Sequence, residues 1–205
     1  MYVPKKFEAP SLEAVEQFVK ENGFATLVGF DKGIPIATHT PLMISEDSDG
    51  DRKLVGHISA ANPQVKCFDG TQEMMAVFME HHTYISSSWY DHVNVPTWNY
   101  IGVHIYGKVS KIEGDDLYKF LDDLTKKYEG DSPTAFKVES MPKDMLHREM
   151  KGIVGFEMEV TNVEASYKLS QNRDDKNYFE IIKKLEERGD EFSLKIAAEM
   201  SKLRF

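Results

Sequence analysis

The aromatic-rich stretch at residues 84–107, YISSSWYDHVNVPTWNYIGVHIYG, limits the possible folds more than any other part of the chain. It holds both tryptophans, four tyrosines and two histidines in 24 residues. Its second half alternates, with Ile101, Val103 and Ile105 on one side and ring-bearing or polar residues on the other, which indicates a strand with one buried face. Gly102 marks a place where something can approach the backbone closely. The stretch predicts a pocket for a planar ligand beside a sheet or an aromatic β-core, and both remain open.

Strand-like segments follow one another through short loops, without the alternating helices of a doubly wound fold. The predicted strands are residues 24–30, 34–44, 53–60, 73–80, 100–113 and 153–163. The predicted helices are residues 11–23, 115–130, a short segment near 145–150, 174–188 and 191–203. This order favours an antiparallel β-barrel with peripheral helices, an α+β class.

Several local features give sharper expectations. Pro35 and Pro41 lie within one predicted strand, so that strand is expected at a sheet edge or bulged at each proline. Asn62 is expected to cap a helical turn that begins at Pro63, and the free amides of such a start suit a phosphate. Asp115 or Asp116 is expected to cap the next helix. Residues 167–173 are expected to form a polar link.

The charge balance and the cysteine count limit the partners and the compartment. The formal net charge is −9 and no segment is a basic tract, which disfavours direct DNA binding. No segment approaches 18 consecutive apolar residues, and the N-terminus lacks the apolar run of a signal peptide. The single cysteine excludes an internal disulfide. A cytoplasmic protein without a membrane anchor is expected.

Two sets of residues offer a nucleophile. Cys67 has no histidine near it in sequence and is followed by Phe68, so a packed thiol is favoured over a reactive one. Ser88, His92 and Asp91 contain the residue types of a hydrolase triad. They lack a nucleophile elbow, and the sequence does not fix their geometry.

Metal sites are not favoured. The chain contains His39, His57, His81, His82, His92, His104 and His147, but no HExxH spacing. His39, His57 and His104 are expected either to face a common polar pocket or to be structural histidines at strand ends. The acid-rich residues 45–52 lack a full calcium ligand series and are predicted as a solvated hairpin loop.

Seven segments, in order along the chain, resemble one known family. They are MYVPKKF (1–7), IATHTPLMI (36–44), GHISAANPQ (56–64), YISSSWY (84–90), VPTWNYIGVHIYG (95–107), IVGFEMEV (153–160) and KLSQNR (168–173). Together they closely resemble the PaiB family of FMN-binding negative transcriptional regulators. The match is collinear from residue 1 to about residue 173, and PTWNY and KLSQNR are its most specific parts.

The resemblance implies a flavoprotein: an FMN-binding split β-barrel that forms a homodimer with flavin sites where the subunits meet. It implies a barrel domain over residues 1–173 and a C-terminal helical extension over 174–205 packed on the barrel. The implied cofactor-binding residues are Thr38, His39 and Thr40 along the isoalloxazine, His57, Ser59 and Asn62 at the ribityl phosphate, and Ser170, Gln171 and Asn172 closing the pocket.

The chain departs from the family pattern at a few positions. Ala60 stands where the family usually carries an arginine, Glu80-His81 where it carries Gly-Pro, and Ser87 where it carries proline. An arginine can make a bidentate, charge-assisted contact to phosphate, worth about 1.5–3 kcal/mol if it is made. The lack of an arginine at position 60 is therefore expected to lower the occupancy of the site by FMN.

The family implies a negative regulatory role in transcription, and an indirect effect through flavin or a small molecule agrees with the acidic charge. The alternative is a flavin-dependent oxidoreductase that acts on a small molecule or on haem. In that case the flavin would carry the redox chemistry, and His104 and Tyr106 would be the residues to test.

Overall fold

A computed structural model describes residues 1–46, 50 and 52–204. The α-helices are α1 (Leu12–Glu21), α2 (Gly114–Glu129), α3 (Lys143–Lys151), α4 (Asp175–Arg188) and α5 (Glu191–Arg204). The strands are β1 (Phe24–Asp31), β2 (Ile34–Glu46), β3 (Arg52–Ser59), β4 (Asp69–Phe78), β5 (His82–Ile85), β6 (Thr97–Ile112) and β7 (Ile153–Lys168). Short 3-10 helices cover, among other segments, Pro63–Cys67 and Ser87–Trp89.

The strands form one sheet in the order β4-β1-β2-β3-β7-β6-β5. β4 also pairs with β6, so the hydrogen bonding runs around a ring of strands, with β5 added beside β6. The pairs with a defined register are antiparallel. The predicted antiparallel barrel with peripheral helices is confirmed.

The chain divides into two compact units. The first consists of Met1–Phe18, Phe78–His104 and Glu164–Phe205, and the second of Val19–Val77 and Ile105–Val163. The long strands β6 and β7 contribute residues to both. The two units are described separately below.

The core of the second unit follows from the alternation of its strands. Inward residues that are fully buried include Leu27, Leu42, Leu54, Met74, Phe156 and Met158. Each such side chain contributes about 1.5–3 kcal/mol of burial free energy. On the opposite face of β3, Val55 packs with Leu117 and Phe120 of α2, joined by Met43. The amphipathic helix α2 thus covers one outer face of the strands.

The first unit is built on the terminal helices. Tyr178, Ile181 and Ile196 are fully buried, as are Ile101 and Val103 of β6. Asp174 caps α4 by accepting a 3.0 Å hydrogen bond from the Asn177 amide. Gly189 ends the helix in a left-handed conformation with φ of 72°. The predicted helices near both chain ends are therefore confirmed, including the Ser11 cap, which accepts from the Ala14 amide at 3.2 Å.

Three local expectations need correction. α2 begins at Gly114 after Glu113, and Asp115 and Asp116 lie in its first turn instead of capping it. β7 continues to Lys168, so residues 167–168 of the expected polar link are part of the strand. β2 lies between β1 and β3 in the sheet order, so it is not an edge strand along its whole length.

The acid-rich loop at residues 45–52, predicted as a solvated hairpin loop, lies partly outside the described residues, because residues 47–49 and 51 are not among them. No helix in the described part of the chain is both long and apolar enough to cross a membrane.

Candidate functional site

β2 changes its neighbour halfway along its length. Residues 34–41 pair with β1, ending at the Phe24–Pro41 pair, whereas residues 42–46 pair with β3, beginning at Leu42–Gly56. In the described sheet, the side of residues 34–41 that faces away from β1 therefore has no strand partner. Pro35 and Pro41 both lie in this half, where a missing N–H interrupts no second ladder. The edge character expected from the prolines thus holds for half of the strand.

Side-chain hydrogen bonds span the place where β2 and β3 separate. The Thr40 hydroxyl donates to the His57 carbonyl oxygen at 2.6 Å. Asn62 Nδ2 donates to Thr38 Oγ1 at 2.8 Å. These bonds bring Thr38, Thr40, His57 and Asn62, which the sequence predicted as site residues, into one region of the second unit.

The turn after β3 is capped as predicted but offers no free amides for a phosphate. Asn62 Oδ1 accepts from the Gln64 amide at 2.9 Å, and the Val65 amide bonds the Asn62 carbonyl at 3.1 Å. Pro63 has no N–H to donate. The 3-10 helix Pro63–Cys67 is five residues long. The expected phosphate cradle at this helix start is therefore wrong, because its amides are already bonded.

Asn62→Ala is expected to lower the free energy of unfolding by about 1–2 kcal/mol, because it removes both the cap and the bond to Thr38. Urea denaturation followed by far-UV circular dichroism measures this change. Asn162→Ala, at an exposed position of the same unit, is the matched control and should change stability by less than about 0.5 kcal/mol. Equal effects of the two substitutions would contradict the structural role of Asn62.

The remaining predicted residues of this unit lie beside aromatic rings or at the surface. His39 alternates with Thr38 and Thr40, so it projects from the other face of β2. Its Nδ1 lies 2.9 Å from Thr26 Oγ1, and its ring stacks on Phe24 at 6.4 Å. Ser59 is exposed, and its hydroxyl accepts from the Ala61 amide at 3.3 Å.

His57 has a more buried environment. Its ring packs 5.7 Å from that of Phe120, and burial lowers the pKa of the imidazole. The ring is therefore mainly neutral near neutral pH. Among the described residues, its Nδ1 has no hydrogen-bond partner. A neutral imidazole with one unused nitrogen is suited to bonding a polar edge of a ligand.

Ser170, Gln171 and Asn172 belong to the first unit, where the first two have defined partners. Ser170 is buried, has a positive φ of 62°, and donates to Asn99 Oδ1 at 3.0 Å. Gln171 Oε1 accepts from the Leu169 amide at 2.8 Å, and its Nε2 donates to the Tyr167 carbonyl. Asn172 is exposed. The segment is held further by Arg204, which donates to the carbonyl oxygens of Gln171 and Arg173 at 3.2 and 2.7 Å.

The aromatic stretch forms a surface in the first unit instead of one closed core. Tyr84 and Trp98 are opposite each other on β5 and β6, with ring centroids 6.0 Å apart, and both are exposed. The Arg188 guanidinium lies 4.6 Å over the Trp89 ring and donates to the Tyr84 carbonyl oxygen at 2.9 Å. The opposite side of β6 is buried as predicted at Ile101, Val103 and Ile105.

The hydrolase alternative is not assembled. His92 Nδ1 lies 2.8 Å from Asp91 Oδ1, but the Ser88 hydroxyl is paired with that of Ser86 at 2.8 Å. Asp91 also bonds Lys176 and Asn177. Lys176, followed by His92 and Asn177, holds the pKa of the Asp91 carboxyl far below its usual range. This arrangement anchors the loop to α4 and leaves the serine without a base.

His104 has surroundings of its own in the first unit. Burial lowers the pKa of its imidazole, and the positive N-terminal amine lowers it further, while Glu164 opposes the shift. The amine itself pairs with the Glu164 carboxylate. His39 and His57 contact different rings, as described above. In the described part of the chain, no group of three or more histidine, cysteine or acidic residues is arranged to hold a metal ion.

A groove of about 670 Å³ opens in the second unit away from the predicted residues. Its lining includes Lys53, Lys108, Ser110 and Glu157. Lys53 already pairs with Glu157 at 3.3 Å, so part of its charge is neutralised. The groove is half open and mainly polar, whereas pockets for planar cofactors are usually apolar and enclosed. Its volume alone therefore does not make it the candidate site.

The residues around the separation of β2 and β3 offer hydrogen-bonding groups of the kind that a flavin ring needs. The unpaired backbone edge of residues 34–41 and the spare His57 nitrogen can meet the donors and acceptors on the rim of a flavin ring. The predicted set Thr38, His39, Thr40, His57, Ser59 and Asn62 contains no lysine or arginine. This set therefore offers hydrogen-bonding groups but no cation for a phosphate.

Known proteins are similar to this chain in sequence. The family described as "Putative FMN-binding domain" matches residues 1–162. The chain is 41% identical to "Protease synthase and sporulation protein PAI 2" of Bacillus subtilis, over 91% of this chain and 89% of that protein. It is also 29% identical to an uncharacterised protein of Saccharomyces cerevisiae, over 68% of this chain and 97% of that one.

Solved structures share the fold at low sequence identity. The FAD and heme binding protein of Mycobacterium smegmatis has a TM-score of 0.62 at 15% identity, with 84% of this chain and 78% of that chain covered. The flavocytochrome Anf3 of Azotobacter vinelandii has a TM-score of 0.62 at 13% identity, with 87% and 78% covered. These similarities support the split-barrel fold.

Proposed function

The chain belongs to the FMN-binding domain family and is a homologue of PaiB, and from that membership we propose that it binds FMN and acts as a negative regulator of transcription. The observation that carries the proposal is the collinear family match over residues 1–162. The separation of β2 and β3 supports it, because it exposes a backbone edge beside the predicted residues.

Within the second unit, we propose that Thr38, His39 and Thr40 follow the edge of the isoalloxazine and that His57, Ser59 and Asn62 lie toward the ribityl chain. When bound, FMN would supply redox chemistry that the side chains themselves lack. His57 would offer its spare nitrogen as a hydrogen-bonding partner while remaining mainly neutral. The roles of Ser170, Gln171 and Asn172 toward flavin remain a prediction.

Titration of FMN into the purified protein tests flavin binding directly. We expect saturable quenching of flavin fluorescence with a dissociation constant in the micromolar range or tighter, about −8 kcal/mol or more favourable. His57→Ala is expected to weaken binding, with His147→Ala, at an exposed position of α3, as the matched control. An absence of saturable binding would contradict the proposal.

Regulation of transcription is proposed to be indirect. The formal net charge of −9 opposes contact with DNA phosphates, so a flavin or small-molecule signal is the favoured route. A gel-shift assay with operator-sized DNA, with and without FMN, separates the two routes. Salt-sensitive DNA binding by the protein alone would show direct recognition instead.

An oxidoreductase is the second candidate, because two proteins with this fold are named for bound FAD and heme or as a flavocytochrome. A flavin-loaded preparation that bleaches on addition of NAD(P)H and recovers in air would favour the enzyme. His104→Ala and Tyr106→Phe would then be expected to slow the bleaching, whereas a pure binding protein would show no turnover to change.

We also propose that the protein forms a homodimer through the outer surface of the β1–β2 hairpin. Phe24 and Phe30 are 63% and 49% exposed on this surface, although apolar side chains of this size are usually buried. A second copy that covers this surface would bury them and would also lie beside the unpaired edge of β2.

Phe30→Lys is expected to weaken the dimer at least about tenfold, because it places an ammonium in the buried patch. Size-exclusion chromatography with light scattering over a concentration series measures the change. Val93→Lys replaces an exposed apolar residue outside the hairpin and serves as the control. A dimer equally resistant to both substitutions would place the interface elsewhere.

A cytoplasmic location and the division of the chain at residue 173 are proposed on sequence grounds. The single cysteine agrees with a reducing compartment. Limited proteolysis is the test of the division: a stable product that ends near residue 173 is expected if residues 174–205 are an extension.

A further inference from the structure

Two cations in the KLSQNR segment lie together in the first unit. Lys168 is half-buried, and its Nζ donates to Thr97 Oγ1 at 2.6 Å. Arg173 is also half-buried, and its guanidinium lies 4.8 Å over the ring of Tyr90. The turn between them is tight, because Ser170 has a positive φ and its carbonyl accepts from the Arg173 amide at 3.0 Å. The segment therefore presents two positive charges that influence each other, and one of them lies over an aromatic ring.

The acidic residues that could neutralise these cations are engaged with other partners. Asp174 accepts hydrogen bonds from Asn177, Asp175 pairs with Arg204, and Asp91 pairs with Lys176 at 2.8 Å. Within the described ranges, neither Lys168 nor Arg173 has a carboxylate partner. Burial lowers the pKa of Lys168, and the positive charge of Arg173 lowers it further. In an acidic chain, an unneutralised pair of half-buried cations is unusual.

Tyr90 adds an unused donor to the same place. The residue is 8% exposed, and among the described residues its buried hydroxyl has no hydrogen-bond partner. Buried hydroxyl groups are normally bonded, because leaving one unpaired is unfavourable. The hydroxyl belongs to the residue whose ring contacts Arg173, so a group that reaches both would satisfy it.

We propose that Lys168, Arg173 and Tyr90 form a binding site for the phosphate group of a small ligand. Lysine and arginine offer only donors, and the guanidinium fork suits two oxygens of a phosphate. A phosphate dianion would neutralise both cations and accept from the Tyr90 hydroxyl. A carboxylate carries half of that charge and fewer acceptor oxygens, so it fits this donor set less well.

The site stands in the first unit and does not depend on flavin binding in the second. The phosphate could belong to FMN or to another phosphorylated molecule, and the two sources share the same recognition chemistry. The experiment therefore uses inorganic phosphate first and then compares FMN with riboflavin, which lacks the phosphate.

Isothermal calorimetry of the full chain with inorganic phosphate, at constant ionic strength set by chloride, measures the site itself. We expect Lys168→Met to weaken phosphate binding about tenfold or more, because it removes a charge-assisted donor. Lys168→Arg should retain binding. Lys183→Met, which removes an exposed lysine of α4 in the same unit, should bind like the wild type.

Tyr90→Phe separates a ligand contact from a structural role. Because the hydroxyl has no partner among the described residues, its removal should not lower the melting temperature, yet it should weaken phosphate binding several-fold. Acetate should bind more weakly than phosphate. The proposal would be overturned if the wild-type protein does not bind phosphate. It would also be overturned if the folded Lys168→Met and Tyr90→Phe variants bind phosphate like the wild type.

Flavin titrations separate this inference from the proposed function. A preference for FMN over riboflavin that disappears in Lys168→Met identifies the phosphate as that of the flavin. Phosphate binding without any flavin binding supports the site and contradicts the flavin proposal. Flavin binding that is unchanged in Lys168→Met, together with no phosphate binding, contradicts the site and leaves the flavin proposal intact.

Discussion

Gly107→Ala is expected to lower the free energy of unfolding by about 3 kcal/mol, the largest stability loss expected of any substitution considered. A Cβ on Gly107 would lie 2.6 Å from Met158 Cγ and even closer to the Glu159 carbonyl oxygen. The obstacle includes the backbone of β7, which cannot move aside as a flexible side chain can. β6 and β7 would have to separate locally, and the melting temperature should fall by about 6–12 °C.

The same strand supplies a matched control. A Cβ on Gly102 would meet nothing closer than the Tyr100 ring at 3.8 Å, which is an ordinary van der Waals distance. Gly102→Ala should therefore change stability by no more than about 1 kcal/mol, in either direction. Urea denaturation of both variants, followed by far-UV circular dichroism, compares them. Similar losses for the two substitutions would show that close approach at Gly107 is not the cause.

Ala60→Arg is expected to tighten FMN binding about tenfold to a hundredfold, because a guanidinium can make a bidentate, charge-assisted contact with the ribityl phosphate. Ala60 is exposed, directly after Ser59, and its amide donates to the Gly152 carbonyl at 2.9 Å. The side chain takes no part in that bond, so the turn can accept a longer residue. Fluorescence titration with FMN and riboflavin measures the gain.

Ala61→Arg adds the same charge one residue later, also at an exposed position, and should give a smaller gain. Riboflavin affinity should be unaffected by either substitution, since it has no phosphate to contact. If the wild type already binds at micromolar strength and Ala60→Arg adds nothing, the flavin phosphate lies elsewhere. Binding of the flavin phosphate by Lys168 and Arg173 would be one explanation, which the Lys168→Met variant tests.

Local patterns predicted most elements of this fold. The amphipathic period after Ser11 gave α1, and the Asp31-Lys32-Gly33 sequence gave the β1–β2 hairpin, in which Lys32 and Gly33 adopt positive φ values of 51° and 80°. These features depend on residues near one another in sequence, so propensity and turn chemistry were sufficient. The succession of strands through short loops predicted the antiparallel barrel, and the resemblance to a known family specified the split-barrel form.

The errors concern contacts between distant residues. Gly107 is pressed against β7, a contact that depends on strand pairing and that no local pattern predicts. Pro41 was expected to mark an edge or a bulge, whereas it marks the point where β2 exchanges one neighbour for another. Lys168 and Arg173 were not singled out, although two cations within six residues of an acidic chain were a visible signal.

The placement of Trp89 and Trp98 determines what intrinsic fluorescence can report. Both indoles of the chain lie in the first unit, one beneath the Arg188 guanidinium and the other half exposed on β6. Tryptophan fluorescence therefore reports on the surroundings of the first unit alone. If tryptophan fluorescence and far-UV ellipticity give different unfolding midpoints in denaturant, the difference will measure how independently the two units unfold.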